Sequence, residues 1–587
     1  MSQRSRSIRD SEDSACGTRQ ATHAFAVTTN WSKDSWETFM RRNQAWAIAI
    51  SLSALTLAGC GGGSDDTVAA APTPAPSVSI ADYVVPRAPG CAAGDTPETA
   101  LQGQVPAALR QSGFGGFSCN LKLVSQVQGE GASWSAATYT DRKGQTCFYH
   151  ATMGASPAFT NPAAPPRVNP GVPVIDITDP ARPTRISSLT STAMIDPWES
   201  LRVNTSRGIL AADNGLGAGG GPEIDLYDVA SDCTQPQLLA SVPIGTGTDG
   251  GIIPANKPLG HEGGFSPDGF TYYIGSVNSK SYYAVDLTVP TRPKLVSSIT
   301  MSDLGLKSLP HGLSVSQDGT RAYFVSSGNI GAIGGTAPPP LNDPNASGDN
   351  GFFVVDTGEV QSRRPNAQMH RIATVPVRDG SVAQHTISFS VRGKPYLIEV
   401  DEGGSGGIQD PTAAGVTAAC NAGMTPFPLG HIYDISNEAA PQLVSELRLE
   451  THAVQNCHKV IPDILGLAAF TYGSHYCSVD NRENATALAC SYFNSGVRVF
   501  DIRDPSKPKE IAYYNPASAK SPGAGSGHLM FGQYHAGGPD WCASRLDFDF
   551  DRHLLTTACQ DNGLLVLSFE NGSWPFPEST KAIGIGN

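Results

Sequence analysis

One short segment occurs twice in this 587-residue chain and returns in weaker form along its length. Residues 172–180 read VPVIDITDP, residues 497–505 read VRVFDIRDP, and each is followed three positions later by another proline. With the weaker copies, seven anchor positions recur about every 65 residues. The anchors are Asp176, Asp228, Asp286, Asp356, Asp434, Asp501 and Ser568. Repeats of this length indicate one array of small units rather than several unrelated domains.

Each repeat carries the signals of a four-stranded sheet. After each of the first six anchors a proline precedes a short apolar strand, and two further strands lie before the anchor. In the third and fourth repeats an Asp-Gly hairpin signal, at 268–269 and 318–319, joins those two strands. The 63 glycines and 44 prolines fit many turns, and a charged fraction of 16% fits sheets buried on both faces. The predicted fold is all-β, a seven-bladed β-propeller.

The two ends of the repeat region complement each other. The seventh repeat ends near Phe569 without an outer strand, whereas the region begins with a spare one at 121–127. We predict that this N-terminal outer strand pairs with residues 563–569 of the last blade and closes the ring. Closure would protect the edges that an open sheet exposes.

The anchor sequence resembles the LVIVD-repeat family, in which a Val/Ile-rich strand ends in Asp-Ile-Ser/Thr-Asp-Pro before a further proline. The match is close around Asp176 and Asp501, looser elsewhere, and covers roughly residues 119–570. The resemblance implies a β-propeller on exported bacterial proteins. It implies no single activity, because propellers host both binding modules and enzymes. The anchor aspartates themselves are interpreted as turn residues that cap backbone N–H groups.

The region around residue 50 has the order of a lipoprotein signal peptide. Arg41 and Arg42 precede an apolar run at 45–57 that is too short to span a membrane, and Leu-Ala-Gly-Cys closes the run at 57–60. These four residues resemble a bacterial lipobox, which implies cleavage before Cys60 and its diacylation. Gly61 after the cysteine implies sorting to the outer membrane, on its periplasmic face or at the cell surface. An ordinary signal-peptide cleavage site is the alternative.

These features divide the chain into six segments. Residues 1–39 have no place in such a signal, and we interpret them as unstructured or as the result of a start assigned too early. Residues 40–59 are the signal peptide, 60–90 the lipidated cysteine with a flexible tether, and 91–118 an N-terminal loop region. The propeller is predicted over 119–575, followed by a tail at 576–587.

The cysteine count suits an exported protein. Of twelve cysteines, ten remain once Cys16, which precedes the signal, and Cys60 are set aside. Two pairs are predicted to form disulfides, Cys542 with Cys559 across a hairpin and Cys477 with Cys490 around a polar loop. Free thiols and metal ligation are the alternatives. Spacing leaves the pairing of the other six open, namely Cys91, Cys119, Cys147, Cys233, Cys420 and Cys457.

Histidines recur where inner strands are predicted to begin. The four in this pattern are His261, His311, His385 and His458. Equivalent positions of successive blades surround the central channel, so these imidazoles could converge on a copper or zinc ion. The layout is similar to that of the selenium-binding/methanethiol oxidase propellers. The alternative is structural: each histidine hydrogen-bonds a neighbouring blade.

Other candidates accompany the histidines. Trp198 and Trp541 fall near the same position in two further blades, and Glu262 lies beside His261, so these three are predicted to line a ligand channel. Four carboxylates are candidate acid/base partners: Glu199, Glu262, Asp401 and Glu402. His452, His475, His528 and His535 could extend a site on one face.

The functional prediction follows from these features. A net charge of −13 argues against a nucleic-acid partner. We expect an exported propeller attached to the membrane through its lipid, acting as a binding module for a protein or small molecule. A copper- or zinc-dependent oxidase is the alternative, and a lactonase-like hydrolase ranks third.

Overall fold

The structure is a computed structural model that describes residue 80 and most of residues 83–582. Gaps in the description fall at 112, 153–166, 215–223, 244–245, 248–250, 253–259, 278, 307, 329–348, 407–412, 466, 468–469 and 521–537. The predicted leader, the signal peptide, Cys60 and most of the tether lie outside the described residues. Among the described residues, no helix is long and apolar enough to cross a membrane.

Seven antiparallel sheets form the blades of a propeller, as predicted, and each begins at its inner strand. Two strands precede them, β1 (Phe117–Cys119) and β2 (Leu121–Val127). Blade 1 contains β3 (Ala132–Thr140), β4 (Thr146–Thr152), β5 (Val172–Asp176) and β6 (Thr184–Leu189). Blade 2 contains β7 (Arg202–Asn204), β8 (Ile209–Asp213), β9 (Ile224–Asp228) and β10 (Gln237–Val242). A small hairpin follows, of β11 (Thr246–Gly247) and β12 (Gly251–Ile252).

The remaining blades continue this order. Blade 3 contains β13 (Glu262–Phe265), β14 (Thr271–Ser276), β15 (Ser281–Asp286) and β16 (Lys294–Thr300). Blade 4 contains β17 (Pro310–Val315), β18 (Arg321–Ser326), β19 (Gly351–Asp356) and β20 (His370–Pro376). Blade 5 contains β21 (Gly380–Val391), β22 (Lys394–Gly404), β23 (Gly430–Asp434) and β24 (Gln442–Glu446). Blade 6 contains β25 (Cys477–Val479), β26 (Ala487–Ser491), β27 (Val497–Asp501) and β28 (Lys509–Asn515), and blade 7 contains β29 (Asp547–Asp549), β30 (Leu554–Cys559) and β31 (Gly563–Phe569).

The ring closes through the N-terminal strand, as predicted. Strand β2 pairs antiparallel with β31, from Leu121 opposite Phe569 to Val127 opposite Leu564. The preceding strand β1 pairs with β28 and gives blade 6 a fifth strand. The segment expected to be an N-terminal loop region therefore contains a strand and also a short helix, α1 (Ala107–Gln111).

Apolar cores fill the spaces between the blades. Among the described residues, one buried cluster lies between each neighbouring pair of blades, including blades 7 and 1. Both faces of most middle strands are therefore covered, and every residue of β8 and β14 is buried. This explains why the strands read as continuous apolar runs rather than as alternating patterns.

The anchor aspartates end their strands by capping the turn that follows. In each of the six, a side-chain oxygen accepts a hydrogen bond from the backbone N–H two residues later, at 2.8 to 3.0 Å. This is the Asx-turn chemistry expected of such residues. The repeated sequence thus specifies the end of the third strand in each blade.

Short helices occupy the connections between strands. They are α2 (Thr192–Ile195), α3 (Gly358–Gln361), α4 (Ala414–Asn421) and α5 (Cys457–Ile464), with 3₁₀ turns at Glu450–His452 and Val454–Asn456. Helices α4 and α5 share a small apolar cluster and are joined by the Cys420–Cys457 disulfide. Helix α4 lies between β22 and β23 of blade 5, and α5 precedes blade 6, where the sequence predicted only strands.

Five disulfides join all ten cysteines of the folded body. The two predicted pairs, Cys477–Cys490 and Cys542–Cys559, are both present and link directly opposed positions of neighbouring strands. The other bridges are Cys91–Cys119, Cys147–Cys233 and Cys420–Cys457. The Cys147–Cys233 bridge connects blade 1 to blade 2.

Candidate metal centre

Five side chains from five different blades meet at the centre of the ring. Glu199 precedes β7, His261 precedes β13, His311 lies in β17, Glu402 lies near the end of β22, and His475 precedes β25. We call these five residues the axial cluster. Inner strands of neighbouring blades contact one another around the channel, so side chains from five blades can approach this closely only at the axis.

The two glutamates of the axial cluster link its three imidazoles. Glu199 Oε2 lies 3.3 Å from His261 Nε2 and 3.7 Å from His311 Nε2, and Glu199 Oε1 lies 3.3 Å from His475 Nε2. Glu402 approaches His475 Nε2 at 3.2 Å and His311 Nε2 at 3.6 Å. Every imidazole therefore presents Nε2 to at least one carboxylate.

The opposite ring nitrogens fix the orientation of two imidazoles. Nδ1–H of His311 donates to the carbonyl oxygen of Gln384 at 3.0 Å, and Nδ1–H of His475 donates to that of Ala543 at 2.6 Å. Because a carbonyl can only accept, the proton sits on Nδ1, and a neutral ring then directs the Nε2 lone pair at the glutamates. A backbone carbonyl behind a histidine is the usual outer partner of a metal ligand.

The electrostatics of the cluster favour a cation. Burial lowers the pKa of His311 and of His475, but the adjacent carboxylates outweigh it and raise each pKa to about 9. Burial also raises the pKa of Glu199, but the neighbouring histidines outweigh it and hold that pKa well below its usual range. Protons on the imidazoles thus balance the buried carboxylates, and a metal ion would take over that role by displacing them.

Two groups of potential ligand atoms share one carboxylate. Oxygen or nitrogen atoms of Glu199, His261 and His311 lie within 4.8 Å of one another, and so do those of Glu199, Glu402 and His475. Glu199 Oε2 and His475 Nε2 are buried and make no hydrogen bond of good geometry with a described group. The residues present thus offer three nitrogens and two carboxylates with buried atoms still to be satisfied.

An aromatic cover lies over the axial cluster, formed by Trp134, Trp198, Phe470, Phe493 and Trp541. Trp134 stacks on Trp198 with ring centres 5.0 Å apart, and Trp134 and Phe493 lie 5.3 and 5.0 Å from the His475 ring. The cover limits the access of water to the cluster.

Four members of the aromatic cover have unusual backbone conformations. Trp134, Trp198, Phe470 and Phe493 have φ values of 66°, 48°, 66° and 38°. Bulky residues rarely adopt this left-handed region, which costs of the order of 1–3 kcal/mol per residue. Such strain concentrates at functional sites, where the surrounding structure enforces it.

On another side, Glu262 separates the axial cluster from a basic pocket. Its Oε1 accepts hydrogen bonds from Arg202 and Arg545 at 2.8 and 2.6 Å, and its Oε2 lies 3.8 Å from His311 Nδ1. The two guanidiniums also contact the ring of Tyr476 at 5.6 and 4.4 Å. With Arg482 they line a narrow cavity of about 40 Å³. We call it the arginine pocket.

Two of the predicted histidine positions lie in the axial cluster and two do not. His261 and His311 belong to it. His385 is buried on β21, where its Nε2 accepts the Cys477 N–H at 3.4 Å, and burial and the nearby Arg545 hold its pKa well below the usual range. This neutral histidine supports a neighbouring blade, as the structural alternative supposed.

The expectation that His458 begins an inner strand is wrong. His458 lies exposed on helix α5, and the axial position of blade 6 belongs to His475 instead. Cys457, Val460 and Ile464 are the buried residues of the helix. Their spacing of three and four is helical, and this signal could have identified α5.

The remaining candidates are distributed between the site and its surroundings. Trp198 and Trp541 belong to the aromatic cover, and Glu262 lies between the axial cluster and the arginine pocket. His452 is a buried structural residue that accepts the Leu449 N–H at 2.8 Å and donates to the Tyr472 carbonyl at 2.9 Å. His528 and His535 lie outside the described residues.

No protein-family model and no curated protein matches this sequence. Among solved structures the chain is similar to a "putative 6-phosphogluconolactonase" from Bacteroides fragilis, with 10% identity, a TM-score of 0.39, and coverage of 71% of this chain and 92% of that chain. A structure of the same description from Bacteroides uniformis has 11% identity and a TM-score of 0.41, with coverage of 69% of this chain and 89% of that chain. Saccharomyces cerevisiae Sqt1 has 8% identity and a TM-score of 0.35, with coverage of 63% of this chain and 70% of that chain.

Proposed function

We propose that this protein is an exported β-propeller that binds a divalent transition-metal ion at its axial cluster and presents the ion to a small ligand in the channel. The observation that carries the proposal is the arrangement of His311 and His475. Each directs Nε2 at the carboxylates of Glu199 and Glu402, and each is held from behind by a backbone carbonyl.

The chemistry of the donor atoms narrows the choice of metal. The cluster combines imidazole nitrogens with carboxylate oxygens, a set that suits Zn²⁺, Mn²⁺ or Fe²⁺ and also accepts Cu²⁺. All ten cysteines of the folded body are in disulfides, so none supplies the thiolate that Cu⁺ prefers. Metal-assisted hydrolysis is thus better supported than thiol oxidation by a copper centre.

The arginine pocket favours an anionic ligand. Arg202 and Arg545 share the carboxylate of Glu262 and lie near that of Asp547, whereas Arg482 bonds only carbonyl and hydroxyl oxygens. The excess positive charge can pair with a carboxylate or phosphate group. A hydrolase acting on an anionic ester or lactone would use both the axial cluster and the arginine pocket.

Metal analysis tests the proposal. The protein, expressed with its own leader in an oxidising compartment, is purified without added chelator, and its metal content is measured by mass spectrometry. We expect the wild type and His458→Gln to contain the same amount of transition metal, and the double variant His311→Gln/His475→Gln to contain about one equivalent less. His458→Gln is a matched control because His458 is exposed on α5. A wild type that contains no such ion and takes up neither Zn²⁺, Mn²⁺ nor Cu²⁺ would contradict the proposal.

Assays of enzymatic turnover distinguish a hydrolase, an oxidase and a binding module. The metal-loaded protein is assayed against lactones and carboxylate esters for hydrolysis, and against thiols with oxygen for oxidation. Hydrolysis that is lost in His311→Gln/His475→Gln supports the hydrolase. Thiol oxidation restored by Cu²⁺ alone supports the oxidase, and metal binding without either reaction supports a binding module.

We also propose that the protein is a lipoprotein of the bacterial outer membrane, with Cys60 as the acylated residue. Five disulfides are consistent with an oxidising, exported location. Metabolic labelling with a palmitate analogue, followed by membrane fractionation, tests this. Cys60→Ser should lose both the label and membrane association, whereas Cys16→Ser should retain both.

A further inference from the structure

A second group of buried acids lies on blade 5, beside the axial cluster but separate from it. Glu399 and Asp401 come from β22, His431 from β23, Glu446 from the end of β24, and Asp379 directly precedes β21. We call these five residues the flanking cluster. None of them belongs to the axial cluster or to the arginine pocket.

Strand pairing brings the members of the flanking cluster together. In the sheet His431 lies opposite Glu399 on one side and Glu446 on the other. His431 Nδ1 is 3.0 Å from Glu399 Oε2 and 3.8 Å from Asp401 Oδ2, and His431 Nε2 is 3.1 Å from Asp379 Oδ1. Potential ligand atoms of Glu399, Asp401 and His431 lie within 4.8 Å of one another, as do those of Asp379, His431 and Glu446.

The charges within the flanking cluster do not balance. Four carboxylates lie close to the imidazole of His431, and the guanidinium of Arg448 pairs with one of them, that of Glu446. With all four carboxylates ionised, the group would carry an excess of negative charge in a buried place even when His431 is protonated, and burial opposes this by raising the pKa of Glu399 and of Asp401. Buried charges are costly unless they are paired or coordinate a metal.

Two buried oxygens of the flanking cluster lack hydrogen-bond donors. Glu399 and Asp401 are fully buried, and neither Glu399 Oε1 nor Asp401 Oδ2 accepts a hydrogen bond from a described group. By contrast, Asp401 Oδ1 accepts one from Asn350 at 2.9 Å. A side chain at Gly380 would collide with the unsatisfied oxygen, because a Cβ there would lie 1.7 Å from Asp401 Oδ2. The glycine therefore leaves room for the Asp401 carboxylate itself.

We propose that the flanking cluster is a second metal site, which takes a hard divalent cation of the Mn²⁺ class. Carboxylate oxygens suit Mg²⁺, Ca²⁺ and Mn²⁺, and the single imidazole favours Mn²⁺ among them. The ion would satisfy the oxygens of Glu399 and Asp401 and neutralise the excess charge. Asp379, with its side chain 31% exposed, provides the route from solvent.

Manganese titration followed by electron paramagnetic resonance tests the site. The background is His311→Gln/His475→Gln, which removes two of the three imidazoles of the axial cluster, so the outcome does not depend on the proposed function. In this background we expect one equivalent of Mn²⁺ to bind and to raise the melting temperature. Adding Glu399→Gln and Asp401→Asn should weaken binding by at least about tenfold. Asp434→Asn, on the same strand as His431 but in a surface ion pair with Lys394, should leave binding unchanged.

Two outcomes would overturn the proposal. One is a folded background protein, with all five disulfides formed, that binds neither Mn²⁺ nor the competitor Ca²⁺. The other is Mn²⁺ binding that persists unchanged in the variant with Glu399→Gln and Asp401→Asn. Protons rather than a metal would then balance the flanking cluster.

Discussion

Asp401 and Glu402 are consecutive residues of β22, yet their carboxylates serve different clusters. Glu402 Oε2 lies 3.2 Å from His475 Nε2 at the axis, whereas Asp401 Oδ2 lies 3.8 Å from His431 Nδ1 within blade 5. Successive side chains of a strand point to opposite faces, so one strand supplies both sites.

This alternation predicts that mutation of Asp401 and mutation of Glu402 affect metal binding at different clusters. Glu402→Gln should weaken metal binding at the axial cluster by at least about tenfold and leave the flanking cluster intact. Asp401→Asn should do the reverse. Zinc and manganese titrations of both variants, monitored by calorimetry, check the pair. Equal losses at both sites in either variant would contradict independent roles.

The closing strand β2 predicts a contrast between two of its residues. Leu121 is fully buried in the core between blades 6 and 7, whereas Val124 is 37% exposed. Leu121→Ala should lower the free energy of unfolding by about 2–5 kcal/mol, because it leaves a cavity. Val124→Ala should cost about 0.5 kcal/mol or less. Denaturant unfolding measures both, and similar small costs would mean that β2 does not hold the ring closed.

A buried ion network attaches the N-terminal segment to blade 6. Arg498 is fully buried and pairs with Glu98 and with Glu510, the latter at 2.6 Å. Arg498→Met would leave two buried carboxylates without their ion-pair partner, so it should lower the free energy of unfolding by about 3–5 kcal/mol. Arg503→Met, which removes partly exposed ion pairs with Asp501 and Glu578, should cost less than about 1 kcal/mol. Comparable unfolding midpoints for the two variants would refute this network.

His452 predicts a loss of stability in mild acid. Burial lowers its pKa from 6.5 to about 3. Between pH 6.5 and pH 3, this histidine is therefore protonated in the unfolded chain and neutral in the folded chain. Stability is therefore retained above pH 6.5 and falls below it, by about 1.4 kcal/mol per pH unit from this group. Between pH 6.5 and 4.5, His452→Gln should lose less stability than the wild type, and His458→Gln should lose as much. Parallel pH profiles for all three proteins would contradict the assignment.

The repeat predicted the fold well because each blade carries its own local signals. Asp-Gly turns and the anchor aspartates define strand ends within a few residues, and the two predicted disulfides follow from strand register. The site was harder to predict. Glu402 reaches the axis only because β22 runs for eleven residues, and His475 takes the place expected for His458 because α5 precedes the inner strand. The contact of Glu98 with Arg498 joins residues 400 positions apart and leaves no local signal.

The most direct test of the central claim is an anomalous-diffraction map of the crystallised protein, recorded at the absorption edge of the metal it contains. The account predicts a peak at the axis, within bonding distance of Nε2 of His311 and His475 and of carboxylate oxygens of Glu199 and Glu402. The peak should be absent in His311→Gln/His475→Gln. An axis without a peak, in crystals of wild-type protein soaked with Zn²⁺ or Mn²⁺, would contradict the account.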